Sequence, residues 1–260
     1  MRKPFYRTGP DHADRRIDCP ATARTRWLSY SQIISLVVAL LLMMVLVASC
    51  GGTEVPVDPE EILSEAAQTM GELQSFHFEY QVEKPADSEP AQGTEVVAMT
   101  GEVSKEGYMR ATIDVLQGGM PLQIEFIAAG ETHYVKNPIT GKWQGVPASN
   151  SPVGQLDLGR STIAILERIS HPEYVGTDSV EGRGEAYHLE GDVPAEEIAG
   201  VAGAVTTEGP FRGGIWVGTT DSLVHRIEVT GAATNSESPK AKRTILLSGF
   251  DLPVTIQPPD

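Results

Sequence analysis

From residue 76 onward the chain alternates between apolar and polar side chains. Phe76, Phe78, Tyr80 and Val82 alternate with His77, Glu79 and Gln81. That period of two marks a strand with one buried face. The same alternation predicts strands over 94–104, 108–116 and 120–128. In the third, Met109, Ala111, Ile113 and Val115 share a face; in the fourth, Met120, Leu122, Ile124 and Phe126 do. Shorter strands are expected at 132–136 and 142–144, with a turn at Asn137–Gly141, and at 174–176 and 186–189. The last three are expected at 213–218, 223–230 and 243–250. Gly101 marks a candidate bulge. Consecutive strands with short loops predict an antiparallel meander.

A period of 3.6 replaces this pattern in three places. Ile62, Ala66, Met70 and Leu73 predict a helix over 58–73, with Asp58 as N-cap, Pro59 in the first turn and Glu61 at capping-box spacing. Ser161–Ile169 reads as a short helix capped by Ser161, after a Gly-, Pro- and Ser-rich loop over 145–160. A third helix opens at Pro194 and continues through IAGVAGAV, a run of mostly small side chains. The expected class is therefore α+β, a largely antiparallel sheet with a few helices.

One stretch has no period at all. Ile33 to Ser49 contains no charged residue, Arg24 and Arg26 precede it, and Val47-Ala48-Ser49-Cys50-Gly51 ends it. A basic region, an apolar run and a small-residue cleavage site form a secretory signal. The apolar run, about 15 residues, is short of the roughly 20 that a spanning helix needs. Cysteine at the cut resembles the lipobox of bacterial lipoproteins, which implies acylation of Cys50. The expected organisation is a signal peptide over 1–49, a lipidated tether over 50–57 and a single domain over 58–260. That domain is expected on the extracytoplasmic face of the cell membrane, held there through lipidated Cys50.

Charge then narrows the classes of partner. The first 50 residues hold seven of the 20 Lys and Arg but only three of the 35 Asp and Glu, so the remainder carries a net charge of −19. Such a chain is not a nucleic-acid binder, nor one that adheres broadly to anionic lipid. Cys19 falls in the leader and Cys50 at the cut, so no disulfide is expected in the domain.

Catalytic patterns are missing. His77, His133, His171, His188 and His225 make no HExxH motif and no zinc spacing. His77, His188 and His225 fall on polar strand positions, where a solvated surface role is expected. No nucleophile elbow or phosphate loop occurs. Neither an enzyme nor a cofactor is expected. What remains is the apolar sheet face formed by Phe76, Phe78, Tyr80, Val82, Met109, Ile113, Val115, Leu122, Ile124 and Phe126. It is either an ordinary core beneath the helices or the lining of an apolar cavity. Periodicity does not separate the two, although the small residues of IAGVAGAV leave room for a cavity.

Several segments together resemble the LppX/LprA/LprF/LprG lipoprotein family. They are Met70-Gly71-Glu72-Leu73-Gln74-Ser75-Phe76-His77-Phe78, Tyr134-Val135-Lys136 with Gly141-Lys142-Trp143, Tyr174-Val175-Gly176 with Tyr187-His188-Leu189, and Ile215-Trp216-Val217-Gly218 with Leu223-Val224-His225-Arg226. The resemblance covers residues 58–250. It implies a curved half-barrel sheet, as in LolA and LolB, with helices packed on its concave face over a hydrophobic cavity. It also implies a lipid or glycolipid ligand held by its acyl chains, carriage toward the outer envelope, and an envelope transporter as partner. A non-catalytic adaptor that binds a protein is the rival expectation. The chain departs from the family in its short linker, its long leader, and Gly218, which stands where an acidic residue is expected after Trp-Val.

Overall fold

The computed structural model describes residues 58–259, apart from 90–92, 152, 154, 155 and 204. The apolar run, Cys50 and the tether over 50–57 lie outside the described residues. Helix α1 (Pro59–Glu72) begins as its sequence predicts: the Asp58 carboxylate accepts from the Glu60 N–H at 3.0 Å and Pro59 occupies the first turn. It buries Leu63, Ala66, Ala67 and Met70 on one face.

Eleven strands follow the alternation. In chain order they are β1 (Ser75–Glu83), β2 (Thr94–Ser104), β3 (Met109–Gln117), β4 (Met120–Ala129), β5 (Thr132–Lys136) and β6 (Trp143–Pro147). After helix α2 (Leu158–Arg168) come β7 (Ser170–Val180) and β8 (Gly184–Asp192). After helix α3 (Ala195–Ala202) come β9 (Arg212–Gly218), β10 (Val224–Thr230) and β11 (Lys242–Ser248). They form one antiparallel sheet in the order β6-β5-β4-β3-β2-β1-β11-β10-β9-β8-β7. Strands β1–β6 step outward from the centre. The chain then passes through α2 to the far edge, and β7–β11 step back until β11 pairs with β1. Among the described strands the two edges, β6 and β7, do not pair, so the sheet is open.

The register fixes which side chains share a face. Phe78 lies opposite Gly101 and Leu247, and Tyr80 opposite Met99 and Ile245. Ile113 lies opposite Met99 and Ile124, and Ile245 opposite Ile227. This inner face and the buried residues of α1, α2 and α3 make one core cluster. Each Leu, Ile or Phe removed from water there contributes about 1.5–3 kcal/mol.

Three local expectations change. α2 starts at Leu158, because Asp157 rather than Ser161 is the cap; its carboxylate accepts from the Arg160 N–H at 3.1 Å. The bulge in β2 falls between Val96 and Ala98, not at Gly101. Gly101 instead permits close strand approach: a Cβ there would lie 2.2 Å from the Arg110 carbonyl oxygen and 2.9 Å from the Phe78 ring. β7 is much longer than its sequence predicts. Its exposed edge residues and its two irregularities, at Ser170–Glu173 and Tyr174–Gly176, erase the alternation.

Candidate lipid-binding site

The ten residues of the predicted apolar face do lie on one face. Phe78, Tyr80, Met109, Ile113 and Phe126 are almost wholly buried, as are Phe76, Val115 and Ile124, while Val82 and Leu122 pack at the margin of the same cluster. Helix side chains fill the space above them. The small residues of α3 serve helix contact there. They let helices touch: a Cβ on Gly200 would lie 1.8 Å from Ser161 Oγ, and the Asp157 N–H donates to the Gly200 carbonyl at 3.0 Å.

A cleft opens at the margin of this core, with a volume of about 680 Å³. One wall is the end of α1 with the start of β1, contributing Met70, Leu73 and Phe76. The facing wall is Leu156, just ahead of α2, with Ile163 of α2 and Ala199 of α3. The β2–β3 and β4–β5 turns close the third side. Of the ten face residues only Phe76 reaches the cleft. Its lining mixes these apolar side chains with Lys105, Glu106, Arg160 and Glu197. The Ser104 hydroxyl donates to Glu106 at 2.7 Å and holds that carboxyl below its usual range. Arg168 pairs with Glu197 across α2 and α3, which raises the guanidinium pKa.

His133 also lines the cleft. It is 3% exposed, stands edge-on to Phe126 at 4.9 Å, and leaves its Nδ1 without a partner. Burial lowers its pKa, and the Asp157 charge only partly opposes this. The pattern of strand β5 places His133 on the inner face, but nothing in the local sequence shows that this face opens into a cleft there.

At the opposite end of β1 the inner face is sealed by charge. Arg243 lies opposite Val82 and Val229 on the core side, 3% exposed. Its guanidinium donates to both Glu237 oxygens, at 2.7 and 2.6 Å, and to the Gly231 carbonyl at 3.2 Å. Burial pushes Glu237 up. The Arg243 bonds and charge, the Ala233 N–H and Lys84 outweigh this and hold its carboxyl below the usual range. Burial also pushes the nearby Tyr80 up to about 12, against the Arg243 charge.

The other histidines are scattered. His77 faces Glu102 at 3.7 Å and His171 faces Asp192 at 3.4 Å, both on the surface. His188 and His225 are more enclosed than polar strand positions predict. His188 stacks on Trp216 with ring centroids 4.0 Å apart. A bulge between Val224 and Arg226 accompanies the burial of His225, which meets Asp221 at 3.1 Å. Gly218 makes room for that pair, since a Cβ there would lie 2.1 Å from Asp221 Oδ1 and 2.7 Å from His225 Nε2. This accounts for the departure from an acidic residue. Ser222, beside the pair, donates to Glu65 at 2.8 Å rather than to His225. Among the described residues no group of three or more His, Cys, Asp or Glu could hold a metal ion.

No curated protein is significantly similar to this sequence. Among solved structures, LprF from Mycobacterium bovis is 18% identical with a TM-score of 0.57, covering 77% of this chain and 96% of that one. The Mycobacterium tuberculosis lipoprotein LppX is 14% identical with a TM-score of 0.50, covering 77% and 100%. At such identities the likeness establishes the fold, an open antiparallel sheet with helices against one face. The sequence model described as LppX_LprAFG lipoprotein matches residues 58–256, nearly the whole described region. The chain therefore belongs to the LppX_LprAFG lipoprotein family.

Proposed function

We propose that this protein is anchored to the membrane through acylated Cys50, takes lipid acyl chains into the space between sheet and helices, and carries them toward the outer envelope. The observation that carries this reading is the cleft. It brings Met70, Leu73 and Phe76, which belong to the inner-face cluster or pack against it, together with charged and polar groups suited to a headgroup. From Phe76 at the cleft to Val82 beside Arg243 the inner face runs about 20 Å along β1. That exceeds the roughly 15 Å depth of one leaflet, so a chain drawn from a bilayer fits before it meets the charged end. Each buried CH₂ gains about 0.8 kcal/mol relative to water. Relative to the bilayer the gain is near zero, which allows both loading and release. Because side chains fill the inner face, loading requires the helices to move outward.

That filled core also favours a second reading, a non-catalytic adaptor that binds a protein partner. Native mass spectrometry of the chain, purified mildly from a lipid-rich host, separates the two. The carrier reading expects non-covalent lipid masses above the acylated chain. Only the acylated mass, under conditions that preserve other lipid complexes, leaves the adaptor.

A further inference from the structure

Two hairpin tips expose large apolar side chains that no described residue covers. Met120, at the β3–β4 turn, is 66% exposed, and Ile139, at the β5–β6 turn, is 92% exposed. Both turns are held in shape. Gly118 and Gly119 adopt φ of 57° and 83°, the two left-handed residues of a tight hairpin. The Asn137 side chain accepts from the Ile139 and Thr140 N–H groups, each at 2.9 Å. β4 pairs with β3 on one side and with β5 on the other, both antiparallel, so the β3–β4 and β5–β6 turns lie at the same end of the sheet. The two tips thus project from one corner of the sheet.

The flanks of these tips differ from the rest of the acidic domain. Lys136 and Lys142 bracket the Ile139 turn, and half-buried Trp143 follows at once. Lys136 is paired with Glu125 at 2.6 Å. Lys142 is exposed and, among the described residues, has no carboxylate within ion-pair distance. Apolar tips, lysines whose stems reach upward and an adjacent tryptophan are what a headgroup layer accepts. The lysine charge complements anionic lipid. We propose that this corner docks on the bilayer surface, with Met120 and Ile139 inserted at the level of the headgroups. This rests on the anchored reading above and adds an orientation to it. β4 runs from Met120 at the tip to Ala129 near the cleft, a length of about 30 Å. The docked domain then presents its cleft away from the membrane, an orientation for release, and loading from the bilayer requires the corner to lift off.

The test uses the full chain reconstituted into phosphatidylcholine vesicles containing phosphatidylglycerol, with part of the lipid brominated in its acyl chains. The emission that W143F removes should be quenched by the brominated chains. M120D/I139D should lower that quenching several-fold while the chain stays vesicle-bound, and K142Q should lower it only on the anionic vesicles. Both substituted tip residues are exposed, so the variants keep the fold. A Trp143 emission untouched by brominated lipid in vesicle-bound protein overturns the proposal and leaves the anchor in place. So does tip protection that requires an added envelope protein. Failure of the unsubstituted chain to associate with vesicles removes the anchored reading itself, and this inference with it.

Discussion

The two ends of β1 are built in opposite ways. At Ser75 and Phe76 the strand opens onto the cleft, whose walls are helix ends and turns. The α2–α3 wall is held together by an Arg168–Glu197 pair, half-exposed on the arginine side, and by the close contact of Gly200 with Ser161. At Glu83 and Lys84 the strand enters a lattice of buried charge. Lys84 meets Glu95 at 2.7 Å and Glu237 at 3.2 Å. Glu89 and Ser236 share a backbone bond at 2.8 Å, and Ser238 bonds both Ser88 and Asp87 at 3.1 Å. Exposed ion pairs contribute little, whereas breaking a buried one is costly. The cleft end should therefore open more readily than the charged end.

The largest effect should come from the charged end. Arg243→Ala leaves Glu237 buried without its main partner and should destabilise by about 3–5 kcal/mol in urea unfolding. Replacing both residues by leucine should recover much of that loss. If Arg243→Ala costs less than about 1 kcal/mol, the contrast between the ends disappears.

A smaller effect is expected at the helix contact. Gly200→Ala drives a methyl into Ser161 and should cost about 1–3 kcal/mol. Ser161→Ala in the same chain should relieve only part of it, because Ser161 Cβ itself lies 3.0 Å from the new methyl position. Hydrogen exchange should quicken in α2 and α3 while β1 and β11 stay protected. Equal quickening in β11 would mean that the two ends are coupled.

The smallest effect is a pH dependence at the cleft. His133 has a lowered pKa in the folded state, so the unfolded chain takes up its proton first. Its contribution to stability is complete above the ordinary histidine value of about 6.5 and is lost as the pH falls through the lower folded value. His133→Phe should flatten that part of the stability profile, read from thermal unfolding across mild acid. An unchanged profile would place the acid sensitivity elsewhere.

Much of this was legible in the sequence because a sheet with one buried face writes itself in period two. Phe76 to Val82 and Met109 to Val115 show their burial directly. Arg243 stands in alternation with Ile245 and Leu247, yet its burial was not legible, because its partner Glu237 sits in a loop whose position no periodicity records. The start of α2 was hidden for a similar reason: Asp157 caps it from within a Gly- and Pro-rich stretch. The cleft was the least legible feature. It is assembled from turn residues such as Lys105 and Glu131 and from helix ends, which meet only after the chain has crossed from one sheet edge to the other. The small residues of α3 pointed toward empty space, but close helix contact uses the same residues.

The pairing of β1 with β11 has a consequence in time. The Gln74 N–H donates to Asp251 at 2.7 Å, across 177 residues of sequence, and the Asp251 N–H returns a bond to the Ser75 carbonyl at 2.9 Å. The strand made first therefore waits for the strand made last. A chain emerging from a ribosome or a membrane pore cannot close its central seam until nearly all of it is out. Pairings of such long range form slowly. Until then the two half-sheets each carry an unpaired central strand, an edge open to pairing with another chain.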